Sequence, residues 1–457
     1  MFKTCTNNTP FWLLLIGIAL ILLSSSLLTE GMFLDGVTYA CISRNMACGM
    51  GSFWYPHYTQ TIGAVFHSHP PLAFGMEALF FSALGDHWWV EKAYSLLTFL
   101  LTALLIALIW KRTTNQFRMA WLPLLFWLAI PLVSWCATNN MLENTMTVFV
   151  VLSVYLMIVS YQRNNKIWLF LSAVSLFLAF LSKGFTGLFP LVFPILYCLF
   201  DDKRRWIQGP IDTLLLIVTI AVLSGVMFLA FTPSLPYLKE YVLVQVLGTG
   251  LHEATSPTRF SILLDWLEQM IIPLAVIVIL LVINKFASKK TVQVFEFPPD
   301  KKRFFLFLIL GLTGVLPIMV SVKQRDFYML AALPFFALTL GHLSISIVNT
   351  MLLEINQKVR KWMLFFASGI LLLGIAMNLC RIGKYDRDEA LIEEVKQRIA
   401  EAEGKDIIEI PTEEFTQWAK HAYYMRYGKI SLRPTEQIIG SHKAIIGQTQ
   451  GSAPINE

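Results

Sequence analysis

Charged side chains are scarce in this chain. Of its 457 residues only 14% are charged, whereas 56% are hydrophobic, and the mean hydropathy is +0.61. Soluble domains carry about 25% charged residues, so the composition excludes an ordinary soluble globular protein. We therefore predict an all-α polytopic membrane protein.

Cysteine is also sparse, and its spacing excludes several kinds of site. The six cysteines contain no C-x-x-C or similar metal-binding spacing. Cys41 and Cys48 share one polar stretch, but on a helix they would lie about 10 Å apart, too far for a disulfide. We expect no essential disulfide. The net charge of +6 follows membrane topology, as shown next, so we expect no nucleic-acid partner.

Apolar segments account for most of the sequence. Eleven are long enough, or nearly so, to span a bilayer of about 20 residues' thickness; they are 11–28, 90–110, 119–136, 141–161, 166–181, 184–200, 210–232, 266–284, 303–322, 326–347 and 359–379. Residues 72–85 are shorter and contain Glu77, which predicts an interfacial or re-entrant helix. The first segment lacks an A-x-A cleavage site, so we expect it to remain as a membrane helix.

The basic residues divide unequally between the two faces of this eleven-span topology. Eighteen Lys and Arg lie in loops on the amino-terminal side, and seven lie on the other, namely Arg44, Lys92, Lys183, Lys239, Arg259, Lys323 and Arg325. The positive-inside rule therefore predicts a cytoplasmic amino terminus. With eleven spans, the carboxy-terminal tail then lies outside the cytoplasm.

The tail differs in composition from the rest of the chain. From about residue 381 the sequence is charged and predicts helix, strand, helix and strand. We therefore expect a transmembrane domain over residues 1–380 and a small extracytoplasmic α/β domain over residues 381–457. The last dozen residues are rich in Gly, Ser, Pro and Gln and are expected to be disordered.

A polar stretch from Leu34 to Pro71 follows the first apolar segment, within a predicted outer loop of residues 30–89. It contains Asp35, Tyr39 and Arg44 and several histidines among aromatic residues. Ionisable residues beside membrane spans are costly unless a site uses them, so we expect this loop to carry the functional site. The alternative for Asp35 is that it caps the helix that follows.

Further charged residues gather at the same predicted face. Glu143 opens the fourth span, Lys183 lies between two apolar segments, and Lys323 and Arg325 precede the tenth span. Acids and bases at the ends of several spans predict a shared polar cavity. The alternative is ordinary juxtamembrane charge with side chains that reach to the interface, which suffices for Lys92.

These residues also carry a resemblance to a known family. LDGVTYACISRNMACGMGSFWYPHY and FHSHPPL, followed by NMLENTMTVF, LAFLSKGFTGLFP and KQRDFYMLAALPFFAL, resemble motifs of the GT-C membrane glycosyltransferases of the family 39/83 kind. That group includes protein O-mannosyltransferases and lipid A aminoarabinose transferases. The resemblance covers residues 10 to about 345. Two positions depart from it, because Gly36 replaces a frequent second acid and Ser68 replaces a frequent Glu.

The resemblance implies a GT-C-like fold and the transfer of a sugar from a polyprenyl-phosphate carrier to an extracytoplasmic acceptor, with inversion. The acceptor would be a lipid, a glycan or a protein, and the membrane a bacterial-type inner membrane. The expected roles are base or acceptor-orienting acid for Asp35, assisted by Glu143; donor-phosphate binding for Lys183, Lys323, Arg325 and Arg44; and substrate binding for Tyr39, Trp54, Tyr58, His69 and Tyr328.

Two questions stay open from the sequence. His67, His69, His252 and Glu143 could hold a divalent ion such as Zn²⁺, Mn²⁺ or Mg²⁺, or they could be ordinary hydrogen-bonding residues in a protein without a cofactor. The chain could also be a transporter or flippase of a lipid-linked or anionic substrate, although it shows no internal repeat of the kind typical of that class. A structural assembly protein would leave the one-sided polar residues unexplained.

Overall fold

The computed structural model describes residues 8–200, 205–249, 255–287, 300–402 and 404–435. The chain is mainly helical. In chain order the α-helices are α1 (Thr9–Leu23), α2 (Leu34–Ala47), α3 (Leu72–Leu84), α4 (Val90–Thr114), α5 (Trp121–Leu128), α6 (Pro131–Thr138), α7 (Leu142–Arg163), α8 (Lys166–Lys183), α9 (Phe193–Phe200), α10 (Gln208–Ala230), α11 (Ser234–Glu240), α12 (Ser261–Ala287), α13 (Lys301–Val315), α14 (Leu333–Glu354), α15 (Gln357–Leu379), α16 (Glu389–Glu401), α17 (Thr412–Phe415) and α18 (Trp418–Gly428).

Short stretches of other geometry connect these helices. Strands β1 (Gly51–Ser52) and β2 (Tyr55–Pro56) pair antiparallel, and β3 (Ile407–Ile410) and β4 (Ser431–Pro434) pair parallel in the tail. The tail contains α16, β3, α17, α18 and β4 in that order, with two helices between the strands where the sequence predicts one. Helical turns that are not α-helical comprise the 3-10 segments Phe117–Met119, Phe185–Val192, Leu316–Val320 and Asp326–Ala332 and the π-helix Tyr241–Thr249.

Eight helical stretches in the described part of the chain are long and apolar enough to cross a membrane. They are Val90–Thr114, Leu142–Arg163, Lys166–Lys183, Gln208–Ala230, Ser261–Asn284, Lys301–Val320, Asp326–Glu354 and Gln357–Leu379. Helices α1 and α3 and the stretch Phe185–Phe200 are apolar but shorter. The multi-pass membrane fold is thus confirmed, whereas the number of eleven spans stays a prediction.

One predicted span is not a single helix. Within residues 119–136 the chain bends by 85° between α5 and α6. Ile130 precedes Pro131 and is extended, with φ −84° and ψ 113°. A residue before proline is pushed out of the α conformation, so the helix breaks here. The segment predicted as a span over 119–136 therefore consists of two helices with a break between them, and its crossing of the membrane stays a prediction.

Helix α1 packs along the last apolar helix, α15. A Cβ atom added at Gly17 would lie 2.8 Å from the Leu371 nitrogen, and one at Gly374 would lie 2.8 Å from the Leu20 Cβ. Asn378 on α15 donates a 2.8 Å hydrogen bond to the Leu20 carbonyl. In membranes small residues allow helix backbones to approach closely, and these two glycines do so here.

The polar helix α2 lies against the turn between α6 and α7. A Cβ added at Gly36 would lie only 2.0 Å from the Asn139 carbonyl oxygen, so no other residue fits there without moving the helix. The Asn139 side chain accepts a 2.6 Å hydrogen bond from the Phe33 nitrogen just before α2. This close approach is the physical reason why the chain carries glycine at position 36.

The tail packs on the other side of α2 and shares its hydrophobic core. Met32, Val37 and Tyr58 from the first loop form one buried cluster with Ile392 and Tyr424 from the tail. The tail and the first loop therefore lie on the same face of the protein.

Two buried arginines join the tail to the first loop. Arg44 on α2 donates to the Met425 carbonyl at 2.5 Å and pairs with Asp86 at 3.0 Å. Arg426 on α18 pairs with Glu91 at 2.9 Å and with Asp86 at 2.7 Å. Both Arg426 and Glu91 are buried. Arginine presents a planar fork of donors that suits such multiple contacts.

Lys92 is also a structural residue. Its ammonium group is buried and donates to the carbonyl oxygens of Ser26 and Gly31, the latter at 3.1 Å. The interpretation of Lys92 as a juxtamembrane charge that reaches to the interface is therefore wrong. It ties the start of α4 to the chain that enters the first loop.

We predict that Arg426→Gln lowers the free energy of unfolding of the outer part of the protein by about 3–5 kcal/mol, because it leaves the buried Glu91 carboxylate unpaired. In detergent, the midpoint of thermal unfolding should fall and limited proteolysis should release the tail faster than in wild type. Arg433→Gln on the exposed side of β4 is the matched control and should change neither. Equal behaviour of the two variants would show that this pair does not hold the tail.

Candidate active site

Two neighbouring helices bring an acid and a base together in the protein interior. Glu143 lies in the first turn of α7 and Lys183 is the last residue of α8. The two helices are joined by a short turn and pack against each other, so these ends meet. The Lys183 Nζ lies 3.0 Å from Glu143 Oε1, with side-chain exposures of 7% and 1%. Glu143 Oε2 accepts no hydrogen bond from any group that the structure describes.

The first loop adds a tyrosine and a histidine to this pair. The Tyr39 hydroxyl lies 3.2 Å from His69 Nε2, and the Lys183 Nζ lies 3.4 Å from the same nitrogen. Because the ammonium group can only donate, Nε2 is an acceptor and the imidazole is neutral. Burial lowers the pKa of His69 well below its usual value, and the charges of Lys183 and Lys323 lower it further.

A tyrosine hydroxyl fixes the segment that carries His69. Tyr237 on α11 is buried, and its hydroxyl, with a single proton to share, lies 2.7 Å from the His69 carbonyl oxygen and 2.8 Å from the Phe66 carbonyl oxygen. The two prolines that follow His69 lead directly into α3. The imidazole is therefore held in place from its backbone as well as from its ring.

Asp35 lies one turn before Tyr39 on the same helix. It is the second residue of α2, and Phe33 occupies the N-cap position, so the alternative of a capping role for Asp35 is wrong. Burial raises the pKa of the Asp35 carboxyl, although three nearby cations oppose this shift. These cations are Lys183, Lys323 and Arg325.

A short extended segment carries the two other predicted cations. Lys323 and Arg325 flank Gln324, which is buried between the 3-10 segments Leu316–Val320 and Asp326–Ala332. The Gln324 side chain donates to the carbonyls of Arg259 and Ser321, both at 3.0 Å, and accepts from the Ile262 nitrogen at 3.1 Å. This anchoring holds Lys323 and Arg325 near Asp35.

A cavity of about 560 Å³ opens beside these groups. One end is polar and contains His69, Lys183, Lys323 and Tyr328. The remaining wall is largely apolar and is lined by Phe185, Leu188, Phe189, Val246, Pro317, Ile318 and Val320. Such a cavity suits a ligand with an anionic group at one end and an apolar chain at the other. We call Asp35, Tyr39, His69, Glu143, Lys183, Lys323, Arg325 and Tyr328 the central polar cluster.

Tyr328 completes the aromatic surroundings of Lys183. The Lys183 Nζ lies 5.5 Å from the centre of the Tyr39 ring and 5.8 Å from that of the Tyr328 ring. Cations at this distance from an aromatic face are attracted to it. Of the predicted substrate-binding residues, Tyr39, His69 and Tyr328 are thus brought together.

The other predicted site residues lie elsewhere. Arg44 is fully buried, and its guanidinium donates hydrogen bonds to the Asp86 carboxylate and to the Met425 carbonyl of the tail. The geometry therefore does not support donor-phosphate binding by Arg44. Trp54 packs on Tyr237 in a separate buried cluster, and Tyr58 stacks on Trp418 of the tail. Both aromatic side chains have structural contacts instead of facing the cavity.

The predicted metal ligands do not form a cluster in the part of the chain that is described. His67 packs against Tyr237 with ring centres 4.9 Å apart, and Glu143 is paired with Lys183. His252 lies outside the described residues. Among the residues described, no three His, Cys, Asp or Glu side chains lie close enough together to hold an ion. The described members of this set, His67, His69 and Glu143, therefore do not form a metal centre with one another.

Sequence reasoning missed the structural use of Glu77. Its carboxyl group is buried on α3 and accepts a 2.8 Å hydrogen bond from the Asn140 side-chain nitrogen. The other carboxyl oxygen lies 2.7 Å from the Ser43 hydroxyl. Burial raises its pKa to about 8. The Ser43 hydroxyl has one proton and also lies 3.0 Å from the Tyr39 carbonyl, so a protonated Glu77 can satisfy both contacts. A carboxylate inside an apolar helix was the available signal.

Comparisons with known proteins agree with this fold. A family model described as dolichyl-phosphate-mannose-protein mannosyltransferase matches residues 68–228 of the 457. No curated protein matches the sequence.

Among solved structures, the chain is similar to ArnT from Cupriavidus metallidurans. The crystal structure of ArnT bound to undecaprenyl phosphate has 15% identity and a TM-score of 0.51, with 96% of this chain and 76% of the ArnT chain covered. The apo structure gives the same identity and TM-score, covering 97% and 77%. An oligosaccharyltransferase from Archaeoglobus fulgidus, in complex with Zn and sulfate, has 14% identity and a TM-score of 0.44, covering 93% and 59%. The predicted resemblance to the GT-C membrane glycosyltransferases is thus confirmed for the fold.

We predict that Glu77→Gln keeps the contacts of a protonated carboxyl and removes a pH dependence of stability. The pKa of Glu77 in the fold is about 8, against an ordinary value of 4.5. The folded state therefore holds a proton that the unfolded state releases, and wild-type stability should fall as pH rises through this window. In detergent, the difference between the thermal-unfolding midpoints of Glu77→Gln and wild type should therefore change in favour of Glu77→Gln as the pH rises through the same range.

Two further variants make this test specific. Glu77→Leu removes the 2.8 Å acceptor of the Asn140 side-chain nitrogen and should be about 1–3 kcal/mol less stable than Glu77→Gln at every pH. Glu413→Gln on the exposed surface of α17 controls for the general effect of removing a carboxylate. A constant difference between wild type and Glu77→Gln over the whole pH range would contradict a protonated Glu77.

Proposed function

We propose that this protein is an integral membrane glycosyltransferase that moves a sugar from a polyprenyl-phosphate carrier to an acceptor outside the cytoplasm. The observation that carries the proposal is the cavity, in which an apolar wall ends at Lys183, Lys323 and His69, beside the carboxyl groups of Asp35 and Glu143. The likeness of the fold to ArnT, whose crystal structure holds undecaprenyl phosphate, supports it.

The carrier would lie with its chain along the apolar wall and its phosphate at the polar end. Lys183 and Lys323 would neutralise the phosphate, and charge-assisted hydrogen bonds of this kind are the strong ones. Arg325 lies close enough to act on Asp35 and would add a planar, two-pronged contact to the same anion. Positive charge fixed at the point where the leaving phosphate gains charge stabilises the transition state.

The transfer itself would be a single displacement. An acceptor hydroxyl attacks the anomeric carbon of the sugar, and the bond from that carbon to the phosphate oxygen breaks with its electron pair. The phosphate leaves on the carrier, the hydroxyl proton passes to Asp35, and the configuration at the anomeric carbon inverts. Burial raises the pKa of Asp35, which makes its carboxylate a better base.

The other members of the central polar cluster would position these groups. Glu143 holds the Lys183 ammonium at 3.0 Å, and Tyr39 connects the helix of Asp35 to His69 through its hydroxyl. Tyr328 presents its ring to Lys183 and lines the cavity. We propose that Tyr39 and Tyr328 also contact the sugar. The acceptor in this proposal is a lipid, a glycan or a protein.

We further propose a bacterial-type inner membrane, with the amino terminus in the cytoplasm and the central polar cluster and tail outside it. The support is the excess of Lys and Arg in the loops of the amino-terminal side. The division into a membrane domain (1–380) and a tail domain (381–457) stays a proposal. The core shared by the tail and the first loop supports a tail that is fixed to the loop.

The decisive experiment is Asp35→Asn, which keeps the size of the side chain and removes its basicity. We expect normal folding and donor binding, with kcat for sugar transfer from a short polyprenyl-phosphate donor reduced about 10²- to 10⁴-fold, the range for a positioned general base. The purified variant is compared with wild type. Asp406→Asn, an exposed residue of the tail, is the control.

Two outcomes would count against this assignment. Full activity of Asp35→Asn would remove Asp35 from the chemistry. The second outcome is that wild type in reconstituted vesicles moves the carrier across the bilayer but transfers no sugar. If Asp35→Asn loses that movement, the transporter or flippase alternative is favoured.

A second prediction concerns His69 and pH. The imidazole is neutral in the free protein, but a phosphate beside it favours the charged form, so donor binding takes up a proton. Affinity for a phosphodiester donor, whose single charge is constant between about pH 6 and 8, should therefore rise as pH falls. The apparent KM for donor should fall in parallel.

Substitution of His69 separates this effect from others. His69→Gln should weaken donor binding at low pH and make it independent of pH, whereas His69→Lys should keep tight binding throughout the range. His57→Gln, which lies outside the central polar cluster and contacts the Ala64 carbonyl, should retain the wild-type profile. A pH profile shared by wild type and His69→Gln would show that His69 does not face the phosphate.

A further inference from the structure

A second cavity, of about 460 Å³, lies at the far end of the same helices. It is formed where α4, α7 and α9 end and where α13 begins. Its lining residues are Arg112, Thr113, Ile158, Gln162, Tyr197, Phe200, Asp300, Lys302, Arg303 and Leu306. None of these residues belongs to the central polar cluster.

The two cavities lie at opposite membrane faces. Helix α7 runs from Leu142 to Arg163, with Glu143 in its first turn and Gln162 in its last. At 1.5 Å per residue these two positions are about 28 Å apart, which is close to the thickness of the hydrocarbon core. The second cavity therefore lies at the face for which the sequence predicts the excess of basic residues.

The second cavity has a positive balance of charge. Among the described residues, Arg112, Lys302 and Arg303 line it, together with one acid, Asp300. Asp300 is already engaged, because it pairs with the Arg303 guanidinium at 3.0 Å and caps α13 by accepting from the Arg303 nitrogen at 3.1 Å. The described part of the lining therefore carries more positive than negative charge, which favours an anion as ligand.

General membrane topology does not explain this arrangement. Cations that only mark the cytoplasmic face, such as Lys358 and Lys361 at the start of α15, are exposed on a single helix. By contrast, Arg112 and Lys302 come from helices that are far apart in sequence and converge on one cleft. Gln162 reinforces the cleft by donating a 2.9 Å hydrogen bond to the Arg112 carbonyl.

The inner wall of the second cavity is apolar. Ile158 and Leu306 are almost completely buried behind the charged rim, and the ring of Tyr197 stacks on that of Tyr161 with centres 4.6 Å apart. A rim of cations above apolar side chains at the membrane surface matches a ligand that has a phosphate and an adjoining hydrocarbon part. Basic pockets between membrane helices at this depth bind anionic lipid headgroups.

We propose that the second cavity is a binding site for a phosphate-bearing anion, and that its position favours the headgroup of an anionic phospholipid from the adjacent leaflet. The Arg112, Lys302 and Arg303 side chains would bind the phosphate, and the apolar wall would contact the glycerol and the first part of the acyl chains. Such a lipid would join α4, α7 and α13 at the face opposite the central polar cluster.

The test measures binding to the purified protein in detergent by calorimetry, with three separate probes. These are short-chain phosphatidylglycerol, short-chain phosphatidylcholine and inorganic phosphate. In the variant Arg112→Gln/Lys302→Gln we expect the Kd for phosphatidylglycerol to rise about tenfold or more, because each basic residue near a membrane surface contributes on the order of 1 kcal/mol to binding of anionic lipid. Phosphatidylcholine should bind wild type more weakly than phosphatidylglycerol.

The matched control is Lys358→Gln/Arg360→Gln, which removes one lysine and one arginine from α15. It should leave the Kd for phosphatidylglycerol unchanged. Thermal unfolding checks that each variant is folded, and Lys302→Gln alone replaces the double variant if that one is not. Sugar transfer is not part of the readout, so the result does not depend on the proposed function.

The three probes distinguish the source of the phosphate. If phosphatidylglycerol binds tightly and only Arg112→Gln/Lys302→Gln loses that binding, the result supports an anionic phospholipid as the ligand. If inorganic phosphate displaces the lipid from wild type and does not bind the same variant, the result supports the binding site but identifies a soluble anion as its ligand. Equal loss of binding in both double variants, or no loss in either, would overturn the proposal.

Discussion

The buried ion pair between Glu143 and Lys183 is the constraint on which the rest of the site depends. Removing two charges from water costs several kcal/mol for each ion, and only good geometry with further polar partners offsets that cost. The α7–α8 hairpin supplies the geometry, because both side chains lie at its open end, opposite the turn that joins the two helices, with 3.0 Å between them. The further partners of Lys183 come from the first loop, which must therefore be held close to the pair.

Several independent contacts hold the first loop in that place. Beneath α2, Gly36 touches the Asn139 backbone, and the Glu77 carboxyl connects Ser43 with Asn140. Above α2, Arg44 reaches the Met425 carbonyl. Helix α2 is thus fixed between the membrane helices and the tail. Asp35 and Tyr39 on this helix thereby gain a defined position, and Tyr39 adds its own contact to His69.

This arrangement has a consequence for the role of the tail. The described side chains of the tail do not line the cavity, yet Arg426 and Arg44 both pair with Asp86 just after α3. A shift of the tail would therefore move α2 and α3 together, and with them Tyr39 and His69. Contacts thus run without a break from the tail through α2 to the Tyr39 hydroxyl and His69, next to Lys183.

Much of the site could be predicted because topology alone places helix ends at a common face. Glu143, Lys183 and Lys323 are ionisable residues at the ends of apolar segments, and counting spans brings them to one side. Arg44 could not be assigned in this way, since its acceptor lies 381 positions later in the chain. The aromatic residues Trp54 and Tyr58 could not be assigned either, because a ring packs equally well in a core and on a sugar.

The fold was predictable to the same extent and for the same reason. Long apolar segments define the helices, and the alternation of helix and strand in the tail follows from its local pattern. The 85° bend at Pro131 was not expected, because a proline inside an apolar segment is compatible with a kinked helix as well as with a break. Glu77 was used only to argue against a span, although its burial makes it a structural residue.

The walls of the main cavity share a property that links the fold to the proposed chemistry. Each of the 3-10 segments Phe185–Val192, Leu316–Val320 and Asp326–Ala332, as well as the π-helix Tyr241–Thr249, contributes residues to its lining. Backbone that departs from α-helix at membrane depth is tolerated where it lines a cavity or is buried in protein. Departures of this kind are frequent at functional sites.

Gly184 shows how closely these segments are fitted to one another. Its φ of 101° lies in the region that glycine favours, and a Cβ atom there would lie 1.9 Å from the Tyr241 hydroxyl oxygen. The chain therefore turns directly after Lys183, and the π-helix can approach the end of α8. Any other residue at this position would push Tyr241 away and open the cavity at its charged end. Gly184 thus determines the shape of the cavity at the point where Lys183 provides its positive charge.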